Sequence, residues 1–430
     1  MPKYTLISNA RLIGASFSPS KPRSLLFRNA ERGAESEIMQ IGDTDTGVLD
    51  REAAKKLTVY NAKGRYMCPG FADMSVHICE PGYMYRERLV DTAKAAVLGG
   101  VTSMLAIPET KPAANDPTVM KYISESSKKT PVEIVPAASV TTRSGILKQS
   151  GINELIAGGA GALFCSDMSD REAVLSAMTS CAENNIPFVI RCASPKGGAV
   201  NSGRVSGLLR VNGIPSWQRE IDVFTAVTLA KEAGCRVHIS SVSTEAVINI
   251  IRQAKMNGVQ VTCDTCPQYF TFYEDDLFFY GTSLKLNPPL AMSSDRTAVI
   301  EAIRDGTIDC IASDHTPWLP SDKNKDFQNA QFGMTGLQTL FPASYTALVY
   351  PGYISLQKLV ALLSENPAKI IHHNSGFNVG AKADLVVFST EREYVLSSDM
   401  LVGGAENSPF NGRFLRGEIP AVFCNGKMEV

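Results

Sequence analysis

Tyr66-Met67-Cys68-Pro69-Gly70-Phe71-Ala72-Asp73-Met74-Ser75-Val76-His77-Ile78 opens the part of the chain that decides the fold. This apolar run is followed by an amphipathic stretch at 86–98, closed by Gly99-Gly100, and by a second apolar run at 102–107. Strand, helix and strand in that order is the pattern of a parallel βα unit. The alternation continues with strand-like runs at 133–140, 162–166, 188–192, 236–242, 259–265 and 309–313, and helix-like stretches at 171–184, 218–233, 244–256 and 296–304. Gly234 closes one helix, and Thr244 with Glu245 opens the next. Counted with 66–78, the strand candidates number eight, which predicts an α/β fold of the (β/α)8 TIM-barrel type. A flat Rossmann sheet is the main alternative, but no glycine-rich phosphate turn follows an early strand.

Outward from the barrel the texture changes. Short runs at 4–9, 24–28 and 37–41 are separated by Gly, Ser, Pro and Asp, which are antiparallel strand signals. Similar runs return at 383–389 and 419–424, and Asn425-Gly426 is a strong hairpin turn. The two ends, 1–65 and 377–430, are expected to pair into a small β-sandwich beside a barrel over 66–376. The polar stretch 322–329 reads as a mobile loop.

With 430 residues and 44% hydrophobic content the chain can bury a large core. A formal net charge of −1 with no long basic run argues against a dedicated nucleic-acid or membrane surface. No apolar run reaches the roughly 18 residues of a membrane span, and the start lacks a signal-peptide layout, so a cytoplasmic protein is expected. Ten cysteines lie mostly inside apolar runs and read as buried thiols of a reducing compartment. Cys263 and Cys266 have redox or metal spacing, but no second pair or nearby His-x-His completes a zinc set.

Barrel proteins build their sites where strands end, so the ionisable residues there can be named first. They are Ser75, His77, Cys79 and Glu80 after strand one, Asp167 after strand four, Arg191 in strand five, His238 and Ser241 in strand six, and Asp314 and His315 after strand eight. Two aspartates, an arginine and a histidine facing one cavity are costly unless paired or bound to something.

The run from Pro69 to Gly82 resembles the first-strand motif of dihydroorotases and hydantoinases in the amidohydrolase superfamily. The resemblance continues through Ile214-Pro215-Ser216, the run from His238 to Thr244, the Ile-Asp-x-Ile-x-Ser-Asp-His pattern ending at His315, and Gly380 to Leu385, so it covers nearly the whole chain. It implies a site of two zinc ions held by a His-x-His pair, a strand-four carboxylate, two further histidines and an aspartate. At those positions this chain has Ser75 and His77, Asp167, Arg191 and Ser241, and Asp314. Three of four histidines are therefore absent, and Asp314 is left as a vestigial general base.

The substrate positions that the resemblance implies have changed too. Cys79 stands where dihydroorotases carry an arginine, Glu109 replaces an asparagine, Trp318 replaces a histidine, and Asn287 is retained. Zinc hydrolysis needs several protein ligands and a position for water, so no cofactor is expected, or at most one weakly held zinc. Arg191 is expected to replace the metal electrostatically by pairing with Asp167, Asp314 or both. Cys79 could serve as a nucleophile beside Arg191 or His77, or be an inert thiol. His238 and His315 are expected to pack away from the cavity. The resemblance implies a catalytically inactive homologue in pyrimidine biosynthesis with a structural or regulatory role, as a homodimer or with aspartate transcarbamoylase. The alternative is a divergent cyclic-amide hydrolase with a weak metal site or none.

Overall fold

A computed structural model describes all residues except 1–2, 32–33, 43–48, 50–53, 143–144, 147–148, 192–196, 374–375 and 404–406. Eight parallel strands pair in chain order: Phe71–Val76, Val101–Ala106, Glu133–Ser139, Ala162–Cys165, Phe188–Ile190, Val237–Ile239, Val261–Thr265 and Cys310–Ile311. The ring closes between the last strand and the first through a bridge from Val76 to His315, where His77 N donates to His315 O at 2.9 Å and His315 N to Ser75 O at 3.1 Å. Asp73 staples the same seam, accepting from Ser75 N at 3.0 Å and from Ser313 N at 3.1 Å. Closure therefore takes place among the very residues singled out as a site.

Helices Leu89–Leu98, Arg171–Glu183, Trp217–Ala233, Glu245–Met256 and Ser293–Asp305 lie outside the strands. Their apolar faces join the strands' outward residues in one core that includes Val97, Ala177, Val223, Ile251 and Ile303. No helix among the described residues is long and apolar enough to cross a membrane.

The segment expected as one strand, 66–78, is two. Tyr66–Pro69 pairs antiparallel with Leu385–Val395 in the terminal sheet, and the barrel strand begins only at Phe71. Gly70 is the joint: a Cβ there would sit 1.9 Å from Thr102 Oγ1, so only glycine lets the chain pass between the two sheets. A continuous apolar run hides such a break because both of its halves are buried.

The terminal sheet folds over along Tyr4–Leu12. The early part of that strand pairs with Arg23–Arg28 and Leu57–Asn61, its last residues with Tyr66–Pro69, and a bulge with Asn9 at φ 55° lies between. Phe27 and Tyr60 from one layer meet Phe423 from the other, with ring centroids 5.9 and 5.6 Å apart. Asn425 (φ 48°) and Gly426 (φ 74°) make the expected tight turn to Lys427–Met428.

Barrel and terminal sheet are also joined by charge. His373 stands 3.2 Å from Glu133 and 3.3 Å from the buried Asp384, within ion-pair reach though bent away from hydrogen-bond geometry. Lys382 Nζ lies 2.8 Å from Glu133 and 3.2 Å from Asp384. The three acidic and imidazole groups have the spacing of metal ligands, but the Lys382 ammonium supplies the cation. Burial opposes charge on His373, yet Asp384 and Glu133 outweigh it and push its pKa up to about 9. Since that lies above the unfolded value, the stabilisation is complete below about pH 6.5 and lost as pH rises through about 9. Denaturation of wild type and His373→Gln across this range should show a difference of about 1–2 kcal/mol at pH 6.5, reduced by the exposure of Glu133, that vanishes near pH 10.

Candidate functional site

At the carboxyl ends of the barrel strands a cleft of about 410 Å³ is walled by His77, Cys79, Glu109, Arg191, Asn287 and Trp318, together with Tyr83, Arg86 and residues of the 331–333 segment. Arg191 fills its floor. Nη2 is bound to Asp314 Oδ1 and donates to the Asn287 carbonyl at 3.1 Å, while Nη1 is 2.8 Å from His77 Nε2. Asp314 is fully buried and also takes Ser75 Oγ at 3.3 Å and Gln268 Nε2 at 3.5 Å.

The protonation states follow from these partners. A guanidinium only donates, so His77 Nε2 must present its lone pair and the ring proton sits on Nδ1, 3.4 Å from Glu109 Oε2. Burial, with Arg191 and against Glu109, drives His77 down to about 4, so the ring is neutral at physiological pH. Burial pushes Asp314 up to about 6 against the pull of Arg191. For Arg191 burial works against the charge, but Asp314 and Glu109 hold its pKa above the ordinary value. Arg191 and Asp314 are thus both charged at neutral pH, because neither ion is tolerable in the barrel without the other.

Asp167, the other carboxylate proposed for Arg191, is turned elsewhere. Beyond Cys165 the chain bends outward, Asp167 Oδ1 accepts from Ser169 N at 3.0 Å, and the residue lines a separate cavity with Trp217 and Asp222. Ser241 (φ 59°) places its backbone N–H 2.7 Å from Asp264 Oδ1 and its hydroxyl 3.8 Å from Cys266 Sγ. His238 pairs with Asp264 at 2.9 Å, and His315 with Glu87 at 2.8 Å, both away from the cleft. Asp264 escaped sequence reading, although a carboxylate inside a buried strand was the signal available. Arg86, on the loop after strand one, carried no such signal.

The polar 322–329 stretch is tied down where a mobile loop was expected. Pro320–Lys323 is a short helix, and the buried Lys323 amine donates to the Gln331 and Gly333 carbonyls, both at 2.9 Å, and to Lys285 O at 3.3 Å. Burial, with Lys285, pushes the Lys323 amine down to about 7, and its buried N–H donors must find acceptors, here carbonyls from two segments.

A metal needs lone pairs aimed at one point. Arg191 takes those of His77 Nε2 and Asp314 Oδ1, Ser75 donates into Asp314, and Asp167 faces another cavity. These residues do not fit the dinuclear zinc set that the resemblance implies. Cys79 is no better suited to chemistry, since burial, with Glu87, pushes its thiol up to about 12.

The amidohydrolase family model matches residues 66–428. A dihydroorotase of Clostridioides difficile is 31% identical, covering 98% of this chain and 99% of its own. One from Bacillus subtilis is 33% identical, covering 94% and 96%. Among solved structures, an L-hydantoinase (dihydropyrimidinase) from Arthrobacter aurescens superposes with a TM-score of 0.83 at 22% identity, over 100% of this chain and 96% of that one, which speaks for the fold.

Two outcomes are expected of the cleft. Arg191→Met should destabilise the protein by about 3–5 kcal/mol by leaving Asp314 buried without its counter-ion, and adding Asp314→Asn, which tolerates the left-handed backbone there, should recover part of that loss in denaturant titrations. Cys79 should resist alkylation in the native protein and react once it is unfolded, read by mass spectrometry.

Proposed function

This chain belongs to the amidohydrolase family, and from that premise we propose that it is a dihydroorotase-like protein in which an internal ion pair has replaced the metal centre. It would then lack metal-dependent hydrolysis and act in a structural or regulatory role in the cytoplasm, in the context of pyrimidine biosynthesis.

One observation carries the reading: a single guanidinium engages both Asp314 and His77, the two ligand-type side chains retained at the floor of the cleft. In a working member Asp314 would take a proton from an activated water and hand it to the leaving nitrogen. Here its Oδ1 is held by Arg191, which also takes the lone pair of His77 Nε2, the donors that a Lewis acid lowering the pKa of water to about 7 would need. The changed substrate positions agree, since the buried neutral thiol of Cys79 cannot make the bidentate contact of a guanidinium. A divergent cyclic-amide hydrolase is the second reading, supported by the open cleft and by Asn287, which still faces it.

A structural role calls for a partner, and we include a homodimer or an assembly with aspartate transcarbamoylase in the proposal. Trp217, Ile221 and Phe224 recur at helical spacing on one helix and are exposed by 55, 51 and 63%, an apolar stripe suited to such a contact.

Protein purified without chelator should carry less than about a tenth of a zinc per chain by elemental mass spectrometry, with no turnover of dihydroorotate by the same sample. Near-stoichiometric zinc with hydrolysis would overturn the reading. Co-purification with aspartate transcarbamoylase catalytic chains tests the partner, and elution of the two as separate species would remove it.

A further inference from the structure

Arg86 stands apart from the ion pair on the floor of the cleft. Its guanidinium carbon lies 3.4 Å from the ring centre of Trp318, 4.2 Å from Tyr83 and 5.6 Å from Tyr85, and Nε donates to the Tyr85 hydroxyl at 3.2 Å. Among the described residues no carboxylate pairs with it. Its neighbour Glu87 faces the other way, toward His315 and Thr92. A half-buried guanidinium stacked on rings and lacking a counter-ion keeps the N–H groups of its two terminal nitrogens for something else.

The surroundings hold this group in place without a ligand. Tyr83 N donates to Cys79 O at 2.8 Å and Arg86 N to Tyr83 O at 2.9 Å, so the segment is wound into consecutive turns. Lys111 N bonds Pro81 O at 3.0 Å, and at Gly82 (φ 96°) a Cβ would come within 2.1 Å of the Lys111 carbonyl, so the turn lies pressed against the loop after strand two. Trp318 is fixed by Nε1 on Phe332 O at 2.8 Å and by its backbone N–H on Asn407 at 3.0 Å. A donor fork locked in advance spends little ordering entropy on binding.

We propose that Arg86 makes this cleft a binding site for a small organic carboxylate, gripped by the terminal nitrogens of the guanidinium while its face stays stacked on Trp318. The planar fork matches two carboxylate oxygens. A volume of about 410 Å³ lies within the usual range for small-molecule sites of about 300–1,000 Å³. The charge of Arg191 is balanced by Asp314, and Glu109, the other acid lining the cleft, lies beside His77, so among the described residues Arg86 is the cleft's cation without a paired carboxylate and sets the end at which the anion lies. Cys79, close by, adds no negative charge, since burial keeps its thiol protonated.

The choice of probe rests on the dihydroorotase-like reading; the position of the anion does not. N-carbamoyl-L-aspartate should be titrated calorimetrically into chelator-treated protein at low ionic strength, beside its dimethyl ester and inorganic phosphate. The acid is expected to bind, the ester and phosphate to bind at least about tenfold more weakly, and the affinity to fall with added salt. Arg86→Gln should weaken the acid by about tenfold or more, with Arg86→Lys between the two. No heat from the acid, equal binding of acid and ester, or tighter binding of phosphate would each overturn the proposal. So would undiminished binding to an Arg86→Gln protein with wild-type thermal midpoint. Should that variant not fold, the ester and salt arms on wild type still decide. Zinc and hydrolysis in the untreated protein would overturn the earlier reading alone, since binding is measured without metal.

Discussion

A guanidinium at the centre of a barrel mouth is tolerable only against a carboxylate, and the contact between Arg191 and Asp314 is what the rest of the site is arranged around. Asp314 adopts a left-handed backbone conformation (φ 53°) that aims its carboxylate inward. His315, next in the chain, forms the bridge to Val76 that closes the ring. Ser75 bonds Asp314 through its hydroxyl, and its carbonyl accepts from His315 N. The pair and the closure of the barrel thus share Ser75, Asp314 and His315 from two strand ends, and a change in one is felt in the other. Breaking such a pair is costly chiefly because of the charge it strands, which makes the arrangement a constraint more than a source of stability.

The same rule governs the other buried charges. His238 and Asp264 are both fully inaccessible and bonded at 2.9 Å. Glu87 takes His315 and Thr92, and Lys323 draws three carbonyls around its amine. At the opposite end of the barrel His373 and Lys382 balance Glu133 and Asp384. At the mouth an arginine balances the buried carboxylate of Asp314, and the neutral His77 turns Nε2 toward that arginine. The cleft above remains open, with Arg86 stacked on rings on one side and Glu109 beside His77, and among the described residues no carboxylate pairs with Arg86.

Most of the barrel was readable as eight apolar runs separated by amphipathic stretches, since that alternation is the direct imprint of strands buried on both faces and helices buried on one. The gathering of His77, Cys79, Glu109, Arg191, Asn287 and Trp318 in one cleft follows from their places at strand ends, which the barrel architecture brings to a common face. Other features were not readable. The break at Gly70 depends on Thr102 lying 1.9 Å from a missing Cβ, a contact between residues far apart in the chain. Asp264 hid in a strand whose neighbours are cysteines and threonines, and its role exists only because His238 and Ser241 of the next strand face it.

What the sequence by itself determined is the succession of strands and helices, the antiparallel character of the two ends, and the residue types, Ser75, Arg191 and Ser241 among them, that stand at the ends of the strands. These are properties of residue type and spacing, and survive without knowledge of any contact. Only the tertiary structure decided that Arg191 pairs with Asp314 while Asp167 turns to another cavity, that the 322–329 stretch is pinned through Lys323, and that Arg86 stands in the cleft on Trp318. The physical reason is common to all three: a long charged side chain chooses its partner by distance and desolvation after the backbone is in place, and neither quantity is encoded in the local pattern that folds it.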